Sequence, residues 1–502
     1  MRKIKQLENK KCQNQKGITL VALVVTIVIL IILAVISINI VINEGGIVNQ
    51  AEKAKQHQAN AELEDNEKLG MLDNSIKEYM NENNNKGYID SELITSPKIS
   101  QGMIPVYWNG SNWIKTTTND NKWYNYTNKE WANVVLEDST FNGDILDESK
   151  PYSQLVWIPR FAYKITSGWH STTTGTIDIV FIGTDNKGKD GKEYNGTYAE
   201  ATSGITSGGA MKNYVVEPAF DYGDKKLEGF WIGKYESSHT GCTTDVATGQ
   251  TTFTGNEIMQ IKANVTSWRR ITIGDSFTTC LNVNKASNPY GLSSNDNVVD
   301  PHMTKNTEWG AVAYLSKSKY GKEIEEVYIN NSSDFITGNA GNTASASSAA
   351  GTTNAYHTAN GQKASTTGNI YGIYDMSGGN WERTASYVNN GHEYLKTYGK
   401  GLVEGETKYK EVYEQGTVDT QELNYGKATT KYGDAVYEIS NGYSSPNASW
   451  YSDCAGFVYS NWPFFVRGGY YSYAANAGIF AFISTDGNAL TSNGFRVAVP
   501  VI

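Results

Sequence analysis

The 502-residue chain is predicted to have an α+β fold, with an N-terminal membrane-spanning helix, a helical stalk, a small β-rich spacer and a large irregular domain. Three observations predict it. Residues 18–42 are almost continuously apolar, and residues 47–83 carry an apolar stripe at helical spacing among Ala, Glu, Lys and Gln. Short aromatic runs separated by turn residues follow, as is typical of short strands.

The N-terminal residues predict location. Residues 1–17 form a leader with six Lys and Arg residues against a single acid, Glu8. Such a basic segment stays in the cytoplasm, so the remainder is placed outside the cell. The segment 18–42 exceeds the roughly 20 apolar residues that a bilayer core requires. The sequence therefore predicts a single-pass cell-membrane protein whose C-terminal domain is extracellular and whose membrane contact is 18–42.

The junction between leader and apolar segment reads Lys16-Gly17-Ile18-Thr19-Leu20. It resembles the leader of type IV prepilins. The resemblance implies cleavage between Gly17 and Ile18 by a prepilin peptidase, methylation of the new N-terminus, and other pilin subunits as partners in a pilus-like filament. Major pilins carry a glutamate where this chain has Ala22, which leaves polymerisation open and keeps a plain membrane anchor as the alternative.

Composition excludes some classes of function. The net charge of −9 gives no electrostatic footprint for nucleic acid, so no nucleic-acid partner is expected. The 33 tyrosines, 12 tryptophans and 49 glycines are typical of a loop-rich extracellular module. Outside the leader, Cys242, Cys280 and Cys454 match neither a disulfide framework nor a zinc pattern, and their pairing stays open.

The chain divides by pattern into successive segments. Residues 43–87 are predicted to form the helical stalk, and 88–150 the β-rich spacer, because Asn-Gly and Asn-Asp pairs separate short aromatic runs. Residues 151–502 are predicted to form one domain. Within it, the Ser-, Thr-, Ala-, Gly- and Asn-rich tract 330–369 predicts a long surface loop.

Four motifs follow one another in the large domain. They are Leu155-Val156-Trp157-Ile158-Pro159-Arg160; Gly229-Phe230-Trp231-Ile232-Gly233-Lys234-Tyr235-Glu236; the stretch from Gly372 to Thr384 with Asp375, Trp381 and Glu382; and Val466-Arg467-Gly468-Gly469 with Asn493-Gly494-Phe495-Arg496-Val497-Ala498. Together they resemble the formylglycine-generating-enzyme (sulfatase-modifying factor) superfamily, which implies a C-type lectin-like domain. From the residues themselves, Arg467 and Arg496 stand beside glycines that permit tight turns, so we expect them to bind carboxylates or carbonyls of the fold, with Asp375 and Glu382 as partners or turn caps.

No catalytic residue is predicted. Oxidase members of the superfamily place two copper-binding cysteines shortly after the Arg-Gly-Gly motif, whereas residues 470–494 contain no cysteine. The six histidines are scattered without ligand spacing, so no metal or other cofactor is predicted. Some members bind calcium near the third motif, which makes calcium the one cofactor that the resemblance leaves open.

The segment between the two arginine motifs mixes side chains of very different size and polarity. This end of the chain resembles the variable region of proteins diversified by retroelements, in which exposed side chains are rewritten on a fixed frame. The resemblance, with the Tyr- and Ser-rich composition, implies a ligand-binding surface. Its predicted members are Tyr471, Ser472, Tyr473, Ala481, Ile483, Ser484, Thr485, Asp486, Leu490, Thr491 and Ser492, with Trp450 and Tyr451 as rim aromatics.

The sequence thus predicts a pilin-like cell-surface adhesin that binds an unknown protein or glycan. Two alternatives stay open. One is a minor or structural pilin with a decorative domain, and the other is an extracellular enzyme of the same superfamily.

Overall fold

The computed structural model describes residues 20–42, 55, 58, 88–244, 253–255, 257–285 and 289–502. The chain separates into two units, Met1–Met80 and Asn81–Ile502. The predicted processing position Gly17–Ile18 and nearly all of the predicted stalk 43–87 lie outside the described residues.

The N-terminal unit contains helix α1, Leu20–Ile42. Across the described part of the chain, no helix combines the length and the apolar character needed to cross a bilayer core about 30 Å thick. This finding contradicts the predicted membrane helix over 18–42 and the cell-membrane localisation that depended on it.

The C-terminal unit is built mainly from strands joined by turns. Its helices are short, at most 11 residues among those described. They are α2 (Tyr198–Thr202), α3 (Ile273–Leu281), α4 (Asn306–Ser316), α5 (Tyr394–Thr397), α6 (Lys400–Glu404) and α7 (Gln421–Lys427). The strands are β1 (Met103–Trp108), β2 (Trp113–Lys115), β3 (Asn133–Leu136), β4 (Phe141–Asn142), β5 (Ile145–Leu146), β6 (Ser153–Pro159), β7 (Phe161–Ser167), β8 (Thr176–Phe181), β9 (Val215–Val216), β10 (Asp221–Tyr222), β11 (Lys225–Lys226), β12 (Gly229–Gly233), β13 (His302–Met303), β14 (Trp381–Val388), β15 (Glu411–Tyr413), β16 (Ser444–Ser445), β17 (Ala455–Gly456), β18 (Phe464–Arg467), β19 (Phe482–Thr485), β20 (Asn493–Phe495) and β21 (Val497–Val499).

The larger sheet has nine strands in the order β13-β21-β12-β6-β3-β1-β2-β5-β4. Strands β6 and β12 are the first two sequence motifs, and they pair antiparallel with Trp157 opposite Trp231. Both strands are buried throughout, which explains why they read as continuous apolar runs without alternation. The Trp231 ring lies 5.2 Å from that of Trp157 and 6.5 Å from that of Trp123, so aromatic packing forms the centre of this core.

The smaller sheet has seven strands in the order β15-β14-β18-β19-β17-β16, with β20 also paired to β14. Strand β14 runs antiparallel to β18 and parallel to β15 and β20. This sheet joins the last two sequence motifs, because Glu382 in β14 lies opposite Arg467 in β18 and Gly494 in β20. A third, three-stranded sheet has the order β8-β7-β9, and β10 pairs with β11.

The predicted α+β class, with its pilin-type helix, separate spacer and C-type lectin-like domain, is wrong. The C-terminal unit is β-rich and is dominated by two large sheets. Strands β1 to β5 of the predicted spacer 88–150 belong to the nine-stranded sheet, where β3 pairs with β6. Hydrogen bonding across residue 150 therefore leaves no boundary at that position.

The tract 330–369 is only partly the predicted surface loop. Residues 342–360 are mostly exposed, but the N-terminal part of the tract is buried. Asn330 is fully buried, and its side-chain amide donates to Ile336 O and to Asp375 Oδ1, each at 2.8 Å. Polar residues with satisfied hydrogen bonds can thus fill a core position that composition alone assigns to solvent.

Candidate functional site

A groove of about 530 Å³ lies at the β19-β17-β16 end of the smaller sheet. Its walls come from the start of α7, strands β16, β17 and β19, and the segments that precede and follow β18. The lining residues are Gln421, Ser444, Ser445, Pro446, Cys454, Ala455, Gly456, Trp462, Tyr473, Asn476, Ile483 and Ser484. None of them carries a formal charge.

The strand pairing of β19 fixes which side chains reach this groove. Ile483 and Ser484 lie opposite Val466 and Phe465 of β18 and are half-buried, whereas Phe482 and Thr485 at the strand ends are buried. A Cβ added to Gly456 would lie 3.2 Å from Ile483 Cγ2. The absence of a side chain at Gly456 therefore leaves the space into which Ile483 projects.

A small apolar cluster packs against the groove residues Tyr473 and Ile483. Its buried members are Trp381, Cys454, Val466 and Ala481. The Tyr473 ring packs edge-on against Trp381, with ring centroids 5.1 Å apart. Burial raises the pKa of the Cys454 thiol and that of the Tyr473 hydroxyl, so both groups are held in their neutral forms at neutral pH.

The Arg467-Gly468-Gly469 motif is an internal part of the fold. Arg467 is fully buried and donates to the carbonyl oxygens of Asp434 at 2.8 Å, Ala435 at 2.7 Å and Ala481 at 3.1 Å. The two glycines have φ values of +86° and +79°, a region that other residues rarely adopt. The chain turns there after β18, and the arginine joins this turn to the segment 434–435 and to Ala481.

Arg496 lies in a second buried network. Its Nε donates to Glu382 Oε2 at 2.8 Å, its Nη2 contacts Glu382 Oε1, and its Nη1 donates to Gly233 O at 2.7 Å. Burial lowers its pKa, but the charges of Glu382, Asp375 and Glu236 outweigh this effect and raise it. One guanidinium cannot compensate three buried carboxylates, and burial together with Asp375 raises the pKa of Glu236 well above its usual range.

The other motif residues also have structural roles inside the fold. Asp375 accepts hydrogen bonds from Gly338 N at 2.9 Å and from Asn330 Nδ2 at 2.8 Å. Phe495 is buried in the core. Gly494 lies within strand β20, and a Cβ there would approach Asn380 Nδ2 to 2.8 Å. Close packing rather than the expected tight turn thus requires glycine at this position.

The eleven predicted ligand-binding residues fall into three groups. Tyr473, Ile483 and Ser484 line the groove. Ala481 and Thr485 are buried, with exposed fractions of 0% and 6%, and lie out of reach of a ligand that approaches from solvent. The remaining six are half-buried or exposed, and they lie near the groove-lining residues in sequence without lining the groove themselves: Tyr471, Ser472, Asp486, Leu490, Thr491 and Ser492.

Neither predicted rim aromatic lines the groove. Trp450 is fully buried, and its indole N–H donates to Gly168 O at 3.0 Å. The Tyr451 hydroxyl donates to Ile324 O at 2.9 Å and accepts from Lys317 Nζ at 2.5 Å. Both side chains therefore hold loops of the fold together.

Sequence reasoning missed the aromatic residue that does line the groove. Trp462 is 43% exposed, an unusual state for tryptophan, and its ring lies 5.5 Å from that of Tyr459. The signal was present in the turn Tyr459-Ser460-Asn461-Trp462-Pro463 directly before β18, since a tryptophan between Asn and Pro is poorly placed for a core strand.

Several polar groups at the groove have unused hydrogen-bonding capacity. Among the described residues, the hydroxyls of Tyr473 and Ser484 have no protein partner within hydrogen-bonding distance. The Asn476 Oδ1 atom is buried and also has none. Buried acceptors are normally paired, so an N–H or O–H donor from outside the chain would complete this site.

Comparisons with known proteins were made by family, by curated sequence and by structure. No family model matches the chain, and no curated protein matches it. Among solved structures, Treponema denticola variable protein 1 matches with 11% sequence identity and a TM-score of 0.21, over 54% of this chain and 85% of that chain. The chain is similar to a variable protein. The prepilin and formylglycine-generating-enzyme resemblances gain no support from the comparisons.

Proposed function

We propose that this protein is a binding protein whose groove, at the β19-β17-β16 end of the smaller sheet, takes an uncharged segment of another protein. The observation that carries the proposal is the lining itself. Twelve residues without a formal charge line the groove, although the chain carries 95 Asp, Glu, Lys and Arg residues in all. A charged ligand would lose hydration there without gaining a partner charge, so the lining favours a neutral one.

The side chains of the groove suit protein recognition. Trp462 and Tyr473 offer rigid aromatic surface at a small cost in side-chain entropy, and Pro446 and Ile483 extend the apolar area. Hydroxyl and amide groups that have no partner among the described residues lie beside them. Anchors of this kind, with adaptable polar groups nearby, are typical of binding surfaces.

The same arrangement accounts for a surface that tolerates exchange of its side chains. The frame residues Arg467, Phe495 and Arg496 are buried and hydrogen-bonded or packed, whereas Ser472, Ser484 and Leu490 face solvent at least in part. Substitutions at such surface positions usually change stability by about 0.5 kcal/mol or less. We also propose retroelement-directed diversification of the half-buried and exposed positions within residues 471–492, and a near-copy of this coding region that differs only at adenines would support it.

Binding rather than catalysis is proposed because the reactive groups near the groove are suppressed. Burial raises the pKa of the Cys454 thiol, which disfavours the nucleophilic thiolate. We propose no catalytic residue and no cofactor.

A side-by-side screen tests the proposal. The chain and its Trp462→Ala/Tyr473→Ala variant are applied to one array of uncharged peptides and neutral oligosaccharides, with Ile324→Ala as the control because that side chain is 76% exposed and lies outside the groove. We expect peptide ligands that the control retains and the groove variant loses. Oligosaccharide ligands alone would reassign the ligand class, and ligands retained by all three proteins would refute the groove as the site.

A further inference from the structure

A second cavity, of about 360 Å³, shares no lining residue with the groove. It opens between the start of α4, strand β15 and the segment after α7. Four lysines line it, which is unusual in a chain with a net charge of −9. The lining residues are Pro218, Asp221, Gly223, Lys305, Thr307, Thr407, Lys408, Lys410, Glu411, Tyr413, Thr430, Lys431, Tyr432 and Asp434.

The three acidic residues of this lysine cavity already have partners within the protein. Asp221 Oδ1 lies 3.6 Å from Arg160 Nη2. Glu411 accepts hydrogen bonds from the Thr307 backbone N–H and hydroxyl at the start of α4. Asp434 Oδ2 accepts from the Tyr413 hydroxyl at 2.8 Å. Burial also raises the pKa of the Glu411 and Asp434 carboxyls, although the nearby lysine charges lower it, so their charged forms are disfavoured beside the lysines.

Two of the lysines form no ion pair with a described carboxylate. Within the described part of the chain, neither Lys410 nor Lys431 has a carboxylate within ion-pair distance. Lys410 Nζ donates to the carbonyls of Val403 and Gly405, and burial lowers its pKa. The Lys431 ammonium lies 5.2 Å from the centre of the Tyr413 ring and makes no hydrogen bond to a described residue.

The other two lysines retain donors that no strong acceptor uses. Lys305 is 5% exposed, and its Nζ makes a single long hydrogen bond, 3.4 Å to Lys408 O. It lies 3.6 Å from Glu308, whose carboxylate is already bound by His302 Nε2 at 2.7 Å. Lys408 Nζ donates to Asp300 Oδ2 at 2.6 Å and lies 3.8 Å from Glu406 Oε2, which is 72% exposed in its side chain. An ammonium has three N–H donors, so each of these lysines can also donate to a ligand.

We propose that the lysine cavity binds a small molecule through a phosphate or sulfate group. Several ammonium donors that converge on one cavity match the many acceptor oxygens of such an anion. The cavity also has room for more than the anion, since 360 Å³ equals the liquid volume of roughly a dozen waters at about 30 Å³ each. The hydroxyls of Thr407 and Thr430 line the same opening and can bind a polar substituent of sugar size.

Calorimetric titration with inorganic phosphate, inorganic sulfate and glucose 6-phosphate tests the inference, at an ionic strength held constant with potassium chloride. The variant is Lys410→Gln/Lys431→Gln, which removes the two lysines that form no ion pair with a described carboxylate. The control is Lys396→Gln, an exposed lysine outside the cavity. Both substituted lysines of the variant are half-exposed, and far-ultraviolet circular dichroism checks that the variant folds.

We expect saturable binding by the chain and by the control, with at least a tenfold weaker dissociation constant in the double variant. Tighter binding of glucose 6-phosphate than of inorganic phosphate would identify a phosphorylated small molecule as the ligand, and the reverse order would identify the free anion. The absence of saturable heat with all three probes, or equal affinities in the three proteins, would overturn the inference.

Discussion

Removal of Arg496 provides the sharpest test of the buried frame. In the variant Arg496→Met, the carboxylates of Glu382, Asp375 and Glu236 lose the guanidinium that all three share. Removing one partner of a buried ion pair costs about 3–5 kcal/mol of unfolding free energy, and we expect the upper end because three acids lose compensation. Glu382→Gln should cost less, since Arg496 would still be compensated by Asp375 and Glu236.

The destabilisation caused by Arg496→Met should also depend on pH. The folded-state pKa values of Glu382, Asp375 and Glu236 are raised by burial, so protonation of these groups favours the folded chain. Loss of Arg496 raises them further, and the destabilisation of Arg496→Met should therefore be larger at pH 8 than at pH 5.

Urea unfolding followed by tryptophan fluorescence at the two pH values measures these differences, with Glu382→Gln as the matched variant. A cost for Arg496→Met that equals that of Glu382→Gln, or that grows from pH 8 to pH 5, would refute the shared-charge account of this network.

Three further predictions concern the groove and the core. Ser484→Tyr should change the free energy of unfolding by about 0.5 kcal/mol or less, because Ser484 is half-buried at the groove. Ala481→Tyr should lower it by about 1–3 kcal/mol or more, because Ala481 is fully buried. Equal unfolding midpoints of the two variants in urea would contradict this contrast. Gly456→Val should abolish peptide binding by filling the space beside Ile483, measured on the same array as the alanine variants, and retained binding would place the ligand elsewhere. Burial raises the pKa of Glu438 to about 8, so its contribution to stability is present at pH 4 and is lost as the pH rises through 8. The variant Glu438→Gln should therefore show a smaller increase in the urea midpoint between pH 8 and pH 4 than the unsubstituted chain. An unchanged pH profile would exclude Glu438 as the source of that increase.

Part of the structure could be predicted from local sequence patterns. The Arg-Gly-Gly motif predicted a tight turn and an arginine that binds other groups of the fold, because positive φ values restrict the choice of residue at Gly468 and Gly469. The mixed segment after it predicted a binding surface, and three of the eleven residues predicted there line the groove. In both cases the relevant contacts lie close together in the chain or follow from a rule about one residue type.

Long-range pairing could not be predicted in the same way. The groove depends on β16, β17 and β19, which come from three separate parts of the last sixty residues, and its exposed Trp462 belongs to a turn before β18. Ala481 and Trp450 look like surface residues in sequence but are buried by elements that are distant along the chain. The lysine cavity likewise joins residues from 218 to 434, whose proximity no periodicity indicates.

The chain segment 493–499 enters both large sheets within seven residues. Strand β20 pairs with β14 in the smaller sheet, and β21 inserts between β12 and β13 in the larger one. On the ribosome, neither sheet can reach its final hydrogen bonding until this segment has been synthesised, long after strands β1 to β12. The nascent protein must therefore keep its unfinished sheet edges apart from those of neighbouring chains, and dependence on chaperones during synthesis is the expected consequence.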